Sequence, residues 1–205
     1  MKTIDAYGDL KSMNQPIVTT REAATRMETS TQNAGRRLRA LEGAGLAQKL
    51  RHGLWLLDAE IGPFAVAPYL TTPFPSYVSF WSALSFHDMI EQIPRQISVA
   101  ALDRARRIET TVGTFVIHHL APEVFGGFEG TSTSGYVARP EKALFDTVYV
   151  RSASGSKAYF TEMTIPAGFD HNALEGWINR IGSKRLMTTV ARRIDDLLRQ
   201  TDKSV

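Results

Sequence analysis

The residues of this sequence that are best suited to chemistry lie on one predicted helix face near the N-terminus. Ala34, Leu38 and Leu41 are four and three positions apart, which is the spacing of a buried stripe on a helix over residues 30–42. The polar residues left on the outside are Ser30, Thr31, Gln32, Asn33, Arg36, Arg37 and Arg39. Side-chain amides match the edge of adenine, arginine matches guanine or a phosphate, and threonine contacts the thymine methyl group. This face therefore predicts readout of double-stranded DNA from the major groove.

The elements that would position this face are marked by helix caps and a tight turn. Thr19–Glu22 has the sequence of a capping box, and Thr29–Gln32 repeats it, so two helices follow each other closely. Gly53 allows the tight turn of a hairpin. The predicted elements are helix 21–27, helix 30–42, strand 46–50 and strand 54–57. This is the element order of a winged helix-turn-helix, which we predict over Thr19–Asp58 and assign to a domain of residues 1–62.

The predicted helix and hairpin share a positive charge. Residues 30–53 hold five basic side chains against Glu42 alone, a net charge of +4. Lys49, Arg51 and His52 lie at or near the hairpin turn, where we expect contacts with phosphate or the minor groove. The alternatives are a solvated basic helix beside an ordinary hairpin, and a winged helix that contacts protein instead of DNA.

The amino-acid composition limits the classes of protein to which this chain can belong. The chain has 205 residues, 43% of them hydrophobic and 22% charged, a net charge of +3 and a pI near 9.3, which is ordinary for a soluble globular protein. There is no cysteine, which excludes disulfides, thiolate catalysis and cysteine-based zinc sites. No apolar stretch is long enough for a signal peptide or a membrane span. We therefore expect a cytoplasmic protein without membrane contact.

The remainder of the chain predicts a second domain behind a linker. Four prolines between residues 63 and 75 indicate an extended, stiff connection. Residues 76–205 alternate helical and strand patterns, so the predicted fold class is α+β, a winged helix-turn-helix followed by a mixed α/β domain with a small sheet. The predicted elements are helix 76–89, strand 96–101, a hairpin of 107–110 and 114–120, a surface loop 126–135, and helices 140–148, 172–181 and 183–200.

Patterns that would support catalysis are weak. His118 and His119 are adjacent on a predicted strand, so they point to opposite faces and cannot chelate one ion. His87–Asp88 lies at a helix end, and the nuclease-like Asp9–Lys11 lies on no strand. The glycine-rich run before Tyr136 lacks the lysine of a phosphate-binding loop, and no Asp-x-Asp pair occurs. We expect a protein that is not an enzyme and has no catalytic residue, metal or cofactor.

The closing helices carry a further basic group. Its members are Arg180, Lys184, Arg185, Arg192 and Arg193. An apolar stripe, Leu186-Val190-Ile194-Leu197, predicts that the four cations of the last helix, which exclude Arg180, lie on its outer side. We expect Lys184, Arg185, Arg192 and Arg193 to add phosphate contacts, because a single winged helix is small. A solvated outer face is the alternative.

The second domain resembles a known family. The segments that carry the resemblance are Tyr77–Leu84, Ile90–Pro94, Arg107–Glu109, Gly113–Phe115, Phe125–Glu129 and Ala138–Asp146. Together with the predicted winged helix they resemble the AbiEi-type antitoxins of abortive-infection, type IV toxin–antitoxin systems. The string Ala-Arg-Pro-Glu-Lys-Ala-Leu-Phe-Asp at 138–146 is the most specific element, and we interpret its charged residues as internal packing.

The resemblance implies a repressor-antitoxin. Such a protein binds inverted repeats in its own promoter, assisted by a basic face of the C-terminal domain. It also counteracts a nucleotidyltransferase-type toxin encoded beside it, without a stable complex between the two. Two other hypotheses stay open: a ligand-responsive regulator, favoured by a pocket lined by Tyr77, Trp81 and Phe128, and a nuclease.

Overall fold

The computed structural model describes residues 3–57, 61–160 and 162–201, and within these ranges the protein is α+β, with eight α-helices and two sheets. Asp58, the predicted end of the N-terminal region, lies outside the described residues. The N-terminal elements are α1 (Thr3–Lys11), β1 (Ile17–Thr19), α2 (Thr20–Arg26), α3 (Thr31–Gly43), β2 (Gln48–Arg51) and β3 (Leu54–Leu56). Their strands form an antiparallel sheet in the order β1-β3-β2.

The capping box at Thr19–Glu22 is the one that the sequence predicts, whereas the second helix is capped by Ser30 and not by the predicted box that begins at Thr29. The Thr19 hydroxyl accepts from the backbone N–H of Glu22 at 3.1 Å, and the Glu22 carboxylate accepts from the N–H of Thr19 at 2.6 Å. Ser30 caps α3 by accepting from the N–H of Asn33 at 3.2 Å. The two predicted helices and the hairpin are thus confirmed to within two residues, whereas α1 and β1 were not predicted.

The longer part of the chain builds a six-stranded sheet with helices. Its elements are a 3₁₀ helix (Pro63–Val66), α4 (Ala67–Thr71), β4 (Ser76–Val78), α5 (Phe80–Phe86), β5 (Ile97–Ala101), β6 (Arg106–Thr110), β7 (Gly113–His119), a second 3₁₀ helix (Pro122–Val124), β8 (Phe128–Thr131), β9 (Gly135–Ala138), α6 (Pro140–Ala153), α7 (His171–Asn179) and α8 (Lys184–Thr201). The strand order is β6-β7-β5-β4-β9-β8. The pairs β5–β7 and β4–β9 are parallel and the others antiparallel.

Alternation along the strands sorts the protein into layers. In β4, Tyr77 packs with α5–α8 on one face of the large sheet, and Val78 packs on the other face with α4 and the N-terminal strands. In β3, Leu54 and Leu56 face that same shared core, whereas Trp55 faces α1–α3. The order is therefore helices α1–α3, small sheet, large sheet, helices α5–α8. One hydrophobic core joins the two sheets.

The proline-rich segment 63–75 is not the extended linker that the sequence predicts. Pro63 and Pro68 occupy the first turns of the 3₁₀ helix and of α4, where a missing N–H costs no hydrogen bond. Val66 and Leu70 are buried in the core between the sheets. Pro63 and Pro68 therefore start short helices, and the segment is part of the packed structure.

Two more predictions of local structure are wrong. The predicted helix 76–89 is found only over α5, and residues 76–78 form strand β4. All three residues of β4 are buried, so the strand shows no alternation of buried and exposed positions that would reveal it in the sequence. The predicted loop 126–135 holds β8 and the start of β9. Two of its glycines, Gly130 and Gly135, meet backbone closely: a Cβ on Gly135 would lie 2.6 Å from the carbonyl carbon of Phe64 in the 3₁₀ helix.

We expect Gly135→Ala to lower the free energy of unfolding by about 3 kcal/mol, because the residue has φ +87 and its new methyl group would overlap backbone. Gly155→Ala is the matched control, with φ +76 and nothing within 4 Å of the added Cβ. It should cost about 1 kcal/mol, the backbone part alone. Urea unfolding of both variants measures the difference, and equal losses would contradict the close contact.

Candidate nucleic-acid interface

The exposed face of α3 has the composition of a base-reading surface. Gln32, Arg36 and Arg39 follow i, i+4, i+7 spacing and are exposed, opposite a stripe of fully buried Ala34, Leu38 and Leu41. Within the described residues, the side chains of Gln32, Arg36 and Arg39 have no hydrogen-bond or ion-pair partner. Their polar groups are therefore available to an outside ligand.

The remaining predicted residues of α3 have different surroundings. Thr31 and Asn33 are exposed in its first turn. Ser30 is exposed, and its hydroxyl is engaged as the helix cap. Arg37 is half-buried and has an internal interaction. The α3 group is thus brought together on one side of the helix, with Arg37 at its margin.

A tight turn holds α2 against α3. Glu28 has φ +48, and the N–H of Thr29 donates to the carbonyl of Ala24 at 3.0 Å. Gly35 of α3 faces α2, and an added Cβ would lie 3.9 Å from the methyl group of Thr20. The start of α2 and the exposed face of α3 are therefore fixed relative to one another.

The hairpin turn presents two of the three predicted basic residues. Arg51 and His52 are exposed at the turn, and Gly53 has φ +76. Lys49 is half-buried, with its ammonium group 5.9 Å from the ring centre of Trp55 and its backbone N–H bonded to Glu42. Lys49 is thus less accessible than the sequence predicts.

The hairpin is also bonded to the large sheet. Thr111, in the turn between β6 and β7, donates its N–H to the carbonyl of Leu50 at 3.0 Å and its hydroxyl to the carbonyl of Lys49 at 3.0 Å. The Gln48 amide donates to the Thr111 hydroxyl at 3.2 Å. Residues 1–62 alone would lose these bonds and uncover the apolar residues of β2 and β3, so the full chain is the appropriate protein for binding experiments.

The closing basic group is only partly on the surface. Lys184, Arg185 and Arg192 are exposed on α8. Arg193 is not the outward cation that the sequence predicts: its guanidinium donates to the Ser152 hydroxyl at 2.9 Å and to the carbonyl of Ser156, and its Nε is buried without a partner. Arg193 therefore anchors α8 to the end of α6.

The layers place α8 and α3 on opposite outer sides of the protein. Two sheets lie between them. With layers about 10 Å apart, the two helices are separated by roughly 30 Å. A straight duplex lying on α3 therefore does not reach Lys184, Arg185 or Arg192.

The most specific string of the sequence forms a buried polar network. Lys142 and Asp146, one turn apart on α6, form an ion pair with both side chains fully buried. The ammonium group of Lys142 also donates to the carbonyl of Val124 at 2.8 Å. The carboxylate of Asp146 accepts from the hydroxyls of Tyr77 at 3.0 Å and Ser79 at 2.7 Å.

Aromatic rings enclose the cation of this network. The ammonium group of Lys142 lies 4.6 Å from the ring centre of Trp177 and 4.8 Å from that of Phe145. Burial lowers the pKa of Lys142, and the carboxylate of Asp146 opposes that shift. Burial raises the pKa of Asp146, and donors from Lys142, Ser79 and Tyr77 oppose it. Since the network is enclosed and its polar groups are paired, its arrangement favours a structural role.

Three histidines of the C-terminal part each have contacts with neighbouring groups. The ring of His118 packs against Phe80 in a tilted arrangement, with ring centres 4.4 Å apart, and burial lowers the pKa of His118. His119 is exposed beside the carbonyl of Asp103, and His87 lies 2.7 Å from the carbonyl oxygen of Ala138. Among the described residues, no three His, Cys, Asp or Glu side chains are grouped as metal ligands would be.

The aromatic pocket that would favour a ligand-responsive regulator is not formed by the predicted residues. Tyr77 is fully buried and stacks on Phe128, with ring centres 4.6 Å apart. Trp81 packs against Phe160 instead and borders a small separate groove of about 180 Å³. These three side chains therefore enclose no common space.

The chain matches no protein-family model, and a search of curated proteins gives no significant match. In the described part of the chain, no helix has both the length and the apolar character needed to cross a membrane.

We expect Lys142→Met to lower the free energy of unfolding by about 3–5 kcal/mol, because it leaves the Asp146 carboxylate buried without its counter-ion. Adding Asp146→Asn should recover part of the loss by removing that charge. Lys157→Met, at an exposed lysine, is the control and should change stability by less than about 0.5 kcal/mol. Denaturant titration provides the values, and a loss below 1 kcal/mol for Lys142→Met would argue against a structural role.

Proposed function

We propose that this protein is a sequence-specific, double-stranded-DNA-binding repressor whose N-terminal part acts as a winged helix-turn-helix. The observation that carries the proposal is the exposed face of α3, where Gln32, Arg36 and Arg39 are free of internal partners among the described residues. The order α1, β1, α2, α3, β2, β3, with a tight α2–α3 turn, supports the same assignment.

In the proposed complex, the first two turns of α3 enter the major groove. Gln32 and Asn33 would pair with adenine, and Arg36 with guanine or a phosphate. Arg51 at the hairpin turn would contact phosphate or the minor groove and carry little sequence information. Lys184, Arg185 and Arg192 are left outside this interface, because α8 lies on the opposite side of the two sheets.

We further propose that the repressor is a type IV antitoxin that controls its own operon and counteracts a nucleotidyltransferase-type toxin. This part rests on the resemblance of segments between Tyr77 and Asp146 to AbiEi-type antitoxins. A buried Lys142–Asp146 pair within the most specific string agrees with a role for that string in the fold. The antitoxin activity would then depend on the outer surface of the C-terminal part.

The base readers are tested by selecting binding sites from random DNA with full-length variants. Gln32→Ala or Asn33→Ala should relax preference at one base position by about 1–3 kcal/mol, because one amide pairs with one base. Asn179→Ala, an exposed asparagine on α7, should return the motif of the unchanged protein. An unaltered motif from both α3 variants would mean that α3 is not the reading helix.

The hairpin contact is tested by the salt dependence of DNA affinity. Arg51→Ala should weaken all DNA sequences alike and reduce the slope of log K against log salt concentration by about 1, because one phosphate contact is lost. Arg192→Ala on α8 should leave the slope unchanged. A smaller slope for Arg192→Ala would mean that the DNA reaches the far side of the protein.

The antitoxin part is tested in cells. It predicts that a nucleotidyltransferase is encoded beside this chain and arrests growth when expressed alone, and that co-expression of this protein restores growth. The α3 variant Gln32→Ala, expressed from a foreign promoter, should still restore growth of the strain that makes the toxin. The reason is that the variant alters DNA binding, whereas neutralisation of the toxin is a separate activity. Toxicity that co-expression does not relieve would leave a DNA-binding repressor without antitoxin activity.

A further inference from the structure

A cleft of about 460 Å³ lies where the hairpin turn of the small sheet meets the large sheet. Three parts of the chain line it: the turn with Arg51, the region of α4 with Tyr69 and Thr72, and the β5–β6 loop with Arg104 and, at the start of β6, Arg106. The cleft therefore spans the junction between the N-terminal and C-terminal parts. Its volume is within the range of small-molecule sites, about 300–1,000 Å³.

The charge of the cleft is positive. Three guanidinium groups line it against the single carboxylate of Asp103. That carboxylate is ion-paired with Arg106, which holds the pKa of Asp103 below its usual value, and it also accepts from the backbone N–H of Arg104 at 2.7 Å. Arg106 is further fixed by donating to the carbonyl of Leu70 at 3.0 Å. Among the described residues, Arg51 and Arg104 are exposed cations without a paired carboxylate of their own.

The backbone holds Arg51 at this position. The pairing of β2 with β3 shifts register between Lys49 and Arg51, which is the geometry of a β-bulge. Bulges change the direction of a side chain, and here the carbonyl of Leu50 is bonded to Thr111 while Arg51 lines the cleft. The backbone next to the arginine is therefore held by a hydrogen bond across the junction.

The donors around the cleft match the oxygens of a phosphate group. Two guanidinium groups can each make charge-assisted, bidentate hydrogen bonds to a phosphate. Tyr69 adds a hydroxyl donor, whereas the hydroxyl of Thr72 already donates to the carbonyl of Pro68 at 3.1 Å. Burial raises the pKa of Tyr69, with a smaller contribution from Glu22, so its phenol stays protonated and able to donate.

We infer that this cleft binds the phosphate group of a small phosphorylated compound. A bound phosphate would bridge Arg51 on the hairpin and Arg104 on the β5–β6 loop, and so stabilise the junction between the two parts of the chain. The regulatory part of this inference rests on the proposed function. Arg51 would contact both the phosphate in the cleft and the DNA, so the two ligands would compete for this side chain.

Binding is tested on the full-length protein with sodium pyrophosphate as the probe, against sodium chloride of equal ionic strength. We expect saturable binding by calorimetry and a higher melting temperature. Arg104→Gln should weaken the binding about tenfold, the usual effect of losing one charged hydrogen-bond partner. Arg107→Gln removes an equal charge from an exposed residue of β6 that pairs with Glu109 outside the cleft, and should bind as the unchanged protein does.

The outcomes separate the possible sources of the phosphate. Absence of saturable pyrophosphate binding, or equal binding by the Arg104→Gln and unchanged proteins, overturns the inference. If Arg104→Gln weakens DNA binding while pyrophosphate does not bind, the cleft serves the DNA backbone and the small-ligand inference is overturned. Pyrophosphate binding supports the inference even when no DNA binding is found, and displacement of DNA by pyrophosphate supports the regulatory part.

Discussion

The buried ion pair between Lys142 and Asp146 is the constraint on which the C-terminal half depends. A charge taken out of water must be met by partners, and here the partners come from different elements: hydroxyls from β4 and the residue after it, a carbonyl from the 3₁₀ helix at Pro122–Val124, and the ring of Trp177 from α7. The pair therefore connects these elements to α6 through hydrogen bonds and ring contacts.

With α6 fixed on one face, the large sheet presents its other face to the rest of the chain. Val78, Val99 and Phe115 on that face are fully buried, and the N-terminal strands and α4 cover them. The protein consequently has two outer surfaces separated by two sheets. The basic residues of α3 and those of α8 belong to different surfaces, although both groups contribute to the positive net charge of the same chain.

Prediction from sequence succeeds here where local interactions decide the structure. The capping box at Thr19 and the glycine of the hairpin turn act within a few residues, and the elements they mark are found; the cap of α3 is Ser30, one residue after the predicted Thr29. It fails where burial is set by distant residues. Strand β4 resembles a helix start because both its faces are covered, and β8 and β9 resemble a loop because Gly135 must admit the backbone of Phe64. Surface residues show the same difference between local and distant interactions. The exposure of the α3 face follows from the periodicity of that helix alone. The internal hydrogen bonds of Arg193 and the cleft beside Arg51 depend on residues that are distant in the sequence.

The bonds from Thr111 to the hairpin have a consequence for the entropy and rate of binding. The tip of a free hairpin samples many positions and must become ordered when it meets a ligand. Here the carbonyls of Lys49 and Leu50 are already held by the β6–β7 turn, so ordering has taken place during folding. A ligand held by Arg51 therefore meets a preorganised group, and little conformational entropy is lost on association. For such a rigid surface, the association rate is governed by electrostatic attraction and orientation, and no loop rearrangement has to precede contact.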